Sequence, residues 1–333
     1  MIQQKLAVVT IGRNEGDRLV NCLLSLKREL GENAPIIYID SGSTDDSVRK
    51  AKELGVIVIN LDVSIPFTAA RARNKGLELI INNYPDTKYI QFLDGDCELY
   101  PHWLEIAVKT LEDKEKLAIV CGRRREKYPE KSVYNQLINL EWNTPISEAK
   151  ACGGDAMMRL EALKQVNGYD SNLICGEEPE MCIRLREKGW KIERLDIDMT
   201  LHDAAMFKFS QWWKRSIRGG WAVAEGYFMH GKPPENYMKK EYFSGYLWGF
   251  IIPFLSIILI GITKGLSLFL LLGYLVLMFK IYRYRLKFGD NKEEAKLYAF
   301  WCVLSKLPQF IGQCQYLFKR LTKQQATIIE YKA

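Results

Sequence analysis

Short apolar runs alternate with stretches of helical spacing along the first hundred residues. Residues 6–11 (LAVVTI) are continuously apolar and rich in β-branched side chains, the pattern of a strand buried on both faces. Leu19, Leu23, Leu26 and Leu30 then recur at helical spacing. A second strand is expected at 36–40 (IIYID), stopping at Asp40-Ser41-Gly42-Ser43, where a helix starts with Ser43 and Asp46 as a capping pair. A third strand at 56–60 (VIVIN), a helix at 69–82 and a fourth strand at 88–93 (KYIQFL) continue the series. This alternation implies βαβ units and an α/β domain on a mostly parallel sheet. Ligands of such sheets gather at the carboxyl ends of the strands. The unusual polar clusters fall there: Arg13-Asn14-Glu15, Asp40-Ser41-Gly42 and Asp94-Gly95-Asp96.

The texture changes near residue 240. Residues 246–262 (YLWGFIIPFLSIILIGI) and 266–279 (LSLFLLLGYLVLMF) carry no charge, and only Thr263-Lys264-Gly265 separates them. A helix of the first segment's length spans about 26 Å, close to the ~30 Å hydrocarbon core of a bilayer. The pair is expected to form a helical hairpin over about 246–282 that enters and leaves the membrane on one side. It would open a helical membrane region at 239–333, behind a globular domain at 1–238. Lys239 and Lys240 before the hairpin, and Lys280, Arg283, Arg285 and Lys287 after it, place both ends in the cytoplasm by the positive-inside tendency. Pro253 and Gly261 leave room for a hairpin that only dips into the bilayer, and two long core helices of a soluble domain share this composition. Leu297, Phe300, Trp301 and Leu304 share a face within a stretch of about 295–320 that ends on Lys319-Arg320. This suits an amphipathic helix lying in the membrane interface.

Charge sharpens the picture. The 333 residues are 48% hydrophobic, enough apolar mass for one sizeable domain and something extra. From Lys232 onward, 15 Lys and Arg face six Asp and Glu, a net of +9, so the chain's total of +7 leaves −2 for the first 231 residues. The basic excess lies in the greasy part of the chain and points to anionic membrane lipids rather than nucleic acid. The eight cysteines show no C-x-x-C pair, as expected for reduced thiols. The opening, MIQQKLAVVTIGRNE, lacks a charged segment followed by a long apolar core, so no signal peptide is expected.

Asp94-x-Asp96 follows an apolar strand, so both carboxylates leave the sheet where the backbone turns. Two hard oxygen ligands, completed by diphosphate oxygens, suit Mg²⁺ or Mn²⁺, although D-G-D is also ordinary turn chemistry. In Gly176-Glu177-Glu178-Pro179-Glu180, Pro179 suits the first turn of a helix running to Lys188 with Gly189 as terminator. Three acids at a helix N-terminus favour the dipole whatever else they do.

Taken in order, VVTIGRNE, IDSGSTDDS, ARARNKGLE, QFLDGDCEL, CGGDAMMRLEALKQVNGYD and ICGEEPEMCIRLREKGW resemble the family-2 glycosyltransferases, inverting enzymes with the GT-A nucleotide-binding fold. The resemblance covers about the first 200 residues. It implies a sugar donor activated as a nucleotide diphosphate, with Thr10, Arg13 and Glu15 at the nucleotide and Asp40 reading base or ribose. A carboxylate accepting the N3–H of a pyrimidine favours UDP or dTDP. Arg71, with Asn74 and Gly76, falls near the nucleotide in this reading, against a solvated helix face for Arg71 and Arg73. Asp94 serves both nucleotide and metal, Asp96 the metal, and His202 completes the metal shell if it is not simply structural. Glu178 is the implied general base, which removes the acceptor hydroxyl's proton opposite the leaving diphosphate. Gly154, Asp155 and Glu177 fall on the acceptor side.

Gln211-Trp212-Trp213-Lys214-Arg215 and Arg218-Gly219-Gly220-Trp221 are only loosely similar to the Q-x-x-R-W motif of processive synthases: the arginine lies four residues after Gln211, and no tryptophan follows it. Arg215 and Arg218 are expected to clamp diphosphate or meet lipid head groups. An NAD-binding oxidoreductase lacks its G-x-G-x-x-G after strand one, and TIGRNEG lacks the lysine of a nucleotidyltransferase loop. A membrane scaffold without catalysis is opposed by the presence of Asp94, Asp96 and Glu178. Enzymatic transfer in cell-surface polysaccharide or glycolipid assembly, onto a lipid-linked or a saccharide acceptor, is the expectation.

Overall fold

The computed structural model describes residues 5–31, 34–324 and 327–331; residues 1–4 of the opening segment lie outside this set. The chain divides into two compact units, Met1–Tyr128 with Glu141–Ala204, and Pro129–Leu140 with Ala205–Ala333.

In chain order the elements are β1 (Leu6–Gly12), α1 (Asp17–Leu30), β2 (Ile36–Asp40), α2 (Ser47–Glu53), β3 (Ile57–Asn60), α3 (Ala69–Asn83), β4 (Tyr89–Asp94), β5 (Cys97–Leu99), α4 (Trp103–Asp113), β6 (Leu117–Glu126), α5 (Val133–Trp142), β7 (Ser147–Ala149), β8 (Ala156–Arg159), α6 (Leu160–Gln165), α7 (Glu177–Glu187) and β9 (Lys191–His202). The described strands form one mixed sheet in the order β3-β2-β1-β4-β8-β6-β9-β5, with β7 pairing β9. The β3-β2-β1-β4 half is parallel, while β8 runs antiparallel to β4 and β6. Leu6–Ile11 are buried throughout, as a strand covered on both faces requires. Helix α3 lies close to that strand: a Cβ on Gly76 would stand 2.4 Å from a Val9 methyl.

The chain steps outward from β1 to β2 to β3, then crosses back to place β4 on the other side of β1. That reversal is the topological switch point, where the carboxyl ends of neighbouring strands diverge and leave a crevice. Ile11 pairs with Asp94 there, so the β1 loop and the Asp94-Gly95-Asp96 turn share one rim.

One boundary differs from the sequence pattern. Helix α2 begins at Ser47 instead of Ser43, because Ser43 is drawn into a turn around Asp40, and Asp45 instead accepts the amide of Ser47 at 2.9 Å. Helix α7 begins at Glu177, which puts Pro179 in its first turn as the sequence pattern requires, with Gly176 at φ 80° providing the left-handed entry.

The second unit is helical. It holds α8 (Phe209–His230), α9 (Lys239–Tyr246), α10 (Ile252–Ile258), α11 (Leu272–Phe288), α12 (Lys292–Leu304) and α13 (Lys306–Leu321). The second compact unit takes up the chain again from Ala205. The reason is packing: α8 lies against α13, with Gly220 2.0 Å from the Gln309 carbonyl oxygen and Gly312 2.0 Å from that of Ile217, measured from an added Cβ. The expected amphipathic helix of about 295–320 is two helices parted at Ser305. Pro308 has no amide hydrogen for the carbonyl of Leu304, and it sits in the first turn of α13 where none is needed.

The apolar segments form two arms, Lys239–Ile258 and Leu266–Phe288, each long and apolar enough to cross a membrane. The first arm has a π turn at Leu247–Ile251 just before Pro253. In that register the Ile252 amide bonds to Leu247, and the carbonyl of Trp248 faces Pro253, which has no amide to give. The Tyr274 hydroxyl on the second arm donates to that carbonyl instead. The Ser267 hydroxyl adds a second bond across the arms, to the Ser256 carbonyl at 2.8 Å. Ile257, Ile262, Leu266 and Phe269 are more than 60% exposed, a surface that protein alone leaves uncovered.

Candidate active site

The loops after β1 and β2 are stitched into one rim. Asn14, at φ 56°, accepts the Thr44 amide at 2.7 Å, and its own amide donates to the Ser43 hydroxyl at 2.9 Å. The Gly16 amide donates to the Ser47 hydroxyl at 2.9 Å. Asp40 is the centre of this rim. Its Oδ2 accepts the amides of Gly42 and Ser43, and its Oδ1 accepts the hydroxyls of Tyr38 and Ser43. With four protein donors on two oxygens, Asp40 is occupied as the rim's organiser, and reading a base would require displacing one of them. Thr10 is fully buried in β1. Arg13 stacks on Phe67 with its guanidinium 4.3 Å from the ring centroid, and Glu15 pairs with Arg18 at 2.8 Å.

Arg71 and Arg73 leave α3 in different directions. Arg71 donates to the carbonyls of Asp62 and Ile65, both at 2.8 Å, and so pins the loop after β3. Arg73 is buried and gathers three carboxylates: Asp94 at 2.8 Å, and Glu177 and Glu178 each at 2.9 Å. Gly154 is the gap through which that guanidinium passes, since an added Cβ would stand 2.3 Å from Arg73 Nη2 and 2.9 Å from Asp94 Oδ2. The signal for Arg73 was in the sequence. Arg73, Leu77 and Ile80 lie at i, i+4 and i+7, so a charge sits on the apolar face of α3.

Asp155 supports the strand end from inside. Its Oδ1 accepts the Asp94 amide at 3.0 Å, its Oδ2 accepts the Thr200 hydroxyl at 3.0 Å, and Arg124 pairs with it at 2.7 Å. The side chain has no exposed surface, which makes it a foundation for Asp94, and no surface is left to meet an acceptor hydroxyl. Burial alone would raise the Asp94 carboxyl, but Arg73 and then Arg124 outweigh it and hold the group below its usual range. Glu178 goes the other way. Burial and then the neighbouring Glu177 push it up to about 7, with Arg73 opposing them. A carboxylate titrating near neutrality is matched to proton abstraction.

Asp96 lies beside His202, at the end of β9, and within electrostatic reach of Arg124. Its Oδ1 is 3.4 Å from His202 Nε2, and both residues are buried. Two ligands each about 2.1 Å from a shared ion lie roughly 3.0–3.4 Å apart at bond angles of about 90–110°. The pair thus fits one divalent cation, with substrate oxygens to complete the shell. Cys97 is close by, but burial and then Asp155 push its thiol far up, so it stays protonated and is a poor ligand. Asp94, expected to share the metal, faces Arg73 and Arg124 in this arrangement. Arg215 and Arg218 lie on α8 in the second unit, Arg218 with its guanidinium 5.9 Å from the Tyr331 ring centroid.

Comparison with known proteins bears on this crevice. Residues 7–166 match glycosyl transferase family 2, and residues 136–209, which include Glu177 and Glu178, match a family described as the N-terminal domain of galactosyltransferase. Glycosyltransferase AglE of Haloferax volcanii is 23% identical over 189 residues, 54% of this chain and 60% of AglE. The uncharacterized glycosyltransferase YibD of Escherichia coli is 35% identical over 112 residues, 33% of this chain and 31% of YibD. The chain thus aligns with less than two thirds of either relative's length. Among solved structures, the mannosyltransferase PcManGT of Pyrobaculum calidifontis, in complex with GDP-Man and Mn²⁺, matches with a TM-score of 0.58 at 15% identity, over 95% of this chain and 88% of its own. A mycobacterial protein matches at 0.52 and 18% identity, over 70% and 80%. These likenesses fix the fold as GT-A-like. With the ordered motifs of the parallel half-sheet, residues 7–166 form a glycosyl transferase family 2 domain.

Proposed function

We propose that this chain transfers a sugar from a nucleoside-diphosphate sugar to an acceptor hydroxyl, with inversion, using Glu178 as general base and a divalent cation at Asp96 and His202. The observation that carries the reading is the Arg73 junction, which ties Glu178 to Asp94 at the mouth of the switch-point crevice. Glu178 takes the proton of the acceptor hydroxyl as its oxygen attacks the anomeric carbon, and the bond to the diphosphate breaks with its electron pair leaving on the phosphate oxygen. A single displacement of this kind inverts the anomeric centre. Arg73 fixes the direction of the Glu178 carboxylate and keeps it beside Asp94, so base and donor site are aligned by one side chain. A bound Mg²⁺ or Mn²⁺ would supply Lewis-acid neutralisation of the departing diphosphate. Since the Asp40 oxygens are held by protein donors, GDP belongs beside UDP and dTDP among the candidate donors.

The helical arms support a membrane placement with both ends on the cytoplasmic side, where nucleotide sugars are made, and an acceptor carried on a membrane lipid. The test is a panel of nucleotide sugars incubated with the full chain and membranes as acceptor source, read by mass spectrometry. Glu178→Gln should lower turnover by roughly 10²–10⁴ while donor binding persists. Undiminished turnover in that variant would remove Glu178 as base. Full activity on water-soluble sugars alone would overturn the lipid acceptor.

A further inference from the structure

His202 is held between two carboxylates that face opposite sides of its ring. Nε2 is directed at Asp96, 3.4 Å away, and Nδ1 at Glu126 Oε2, 3.9 Å away. Trp142 packs edge-on against the imidazole with centroids 4.5 Å apart, which limits how the ring can turn. Nδ1 is buried and makes no hydrogen bond within the described residues. A buried N–H left without an acceptor carries the full cost of its desolvation, so such an atom asks for an explanation.

Glu126 is placed to supply one. It ends β6 directly beside His202 in the parallel pairing with β9. Its side chain has no exposed surface, and its oxygens accept the amides of Tyr128 and Ala204, each at 3.1 Å. The carboxylate is thereby fixed by backbone on either side of it, with Oε2 the oxygen nearer the imidazole. A charged side chain this deeply buried is costly unless it serves a partner.

We propose that Glu126 is a positioning residue for the metal centre, setting the tautomer and orientation of His202. The inference rests on the divalent-cation reading of Asp96 and His202. Ligation through Nε2 requires the ring to carry its proton on Nδ1, and Glu126 Oε2 is the acceptor on that side. Closing the gap from 3.9 Å to a hydrogen bond of about 2.9 Å needs a shift of about 1 Å, within reach of a small ring rotation. The negative charge behind the ring also makes Nε2 a stronger donor to a cation. A cation held by His202 Nε2 and Asp96 would thus be ligated by an imidazole that has a carboxylate behind it.

The test measures affinity for Mn²⁺, alone and with UDP or GDP, in the chelator-treated full chain, by electron paramagnetic resonance of the free ion. Four proteins are compared: the parent chain, Glu126→Gln, His202→Ala and the double variant. Glu126→Gln should weaken Mn²⁺ binding about 10–100-fold. In the His202→Ala background the same substitution should change nothing further, because its route to the ion is gone. An unchanged affinity in Glu126→Gln overturns the proposal. An equal loss in both backgrounds overturns it too, since Glu126 would then act through the β6 terminus in general. Should Glu126→Gln fail to fold, Glu126→Asp keeps the charge but withdraws it, and a parent-like affinity there would refute the proposal equally. A parent chain that binds no Mn²⁺ under any condition defeats the metal reading itself, a different failure from a parent that binds and a variant that binds as well.

Discussion

Replacing Arg73 by methionine keeps the length and removes the charge that holds three acids together. The guanidinium is almost wholly buried and lies within 2.9 Å of Asp94, Glu177 and Glu178. Removing one partner of a buried ion pair costs about 3–5 kcal/mol, because the charges left behind have neither water nor counter-ion. A domain of this size moves its melting temperature by roughly 2–4 °C per kcal/mol, so Arg73→Met should melt about 6–20 °C lower at pH 8. The loss should shrink on acidification. Burial and Glu177 already raise Glu178 to about 7, and Arg73 is the group that opposes them. Without it the folded-state value climbs further above the unfolded one. The variant's stability is then fullest at low pH and falls as pH rises through the folded value. At pH 5.5 the deficit should be smaller by at least ~1.4 kcal/mol, one pKa unit's worth. Arg71→Met is the control on the same helix: it loses two bonds to loop carbonyls and should shift melting by only a few degrees. Thermal melts of the full chain in detergent at both pH values decide it. Equal losses in the two variants, or a loss for Arg73→Met that does not change with pH, would refute the junction as described.

Turnover should climb with pH up to about 7 and level off above it, since Glu178 must be ionised to accept a proton. Glu177→Gln removes the like charge beside it, so the inflection should move to lower pH; a profile that stays put or moves upward contradicts this. Gly154→Ala sets a Cβ 2.3 Å from Arg73 Nη2, and the displaced guanidinium should cost about 10²-fold in kcat with the melting temperature lowered as well. A fully active, parent-like Gly154→Ala would mean the gap is wider than drawn.

The parallel half of the sheet was legible because LAVVTI, IIYID and KYIQFL are apolar runs bounded by polar turns. Strands β6, β8 and β9 were less so. Arg123, Arg124 and Arg125 interrupt β6, and Arg159 ends β8, so neither run has a clean period. The acids of the site were visible as residue types in motifs, whereas their pairing was not. Asp94 and Asp96 are two residues apart, yet one faces arginines and the other a histidine. Which of two nearby arginines turns inward depends on the face of α3 that meets β1, which Leu77 and Ile80 mark but the A-R-x-x-N-x-G spacing does not. Glu126 could have been suspected only as the lone acid closing a strand of apolar residues and arginines.

The bond from Tyr274 to the Trp248 carbonyl has a consequence for how the chain reaches its place. Hydrocarbon offers no donors, so a carbonyl freed by Pro253 must be satisfied by protein or remain costly by several kcal/mol. The donor sits on the other arm, synthesised some two dozen residues later. Were the arms placed in a bilayer, the first alone would leave that carbonyl without a partner, and the second would satisfy it. In the proposed membrane placement the two arms enter as a pair, since Tyr274 on one supplies the donor that the other lacks.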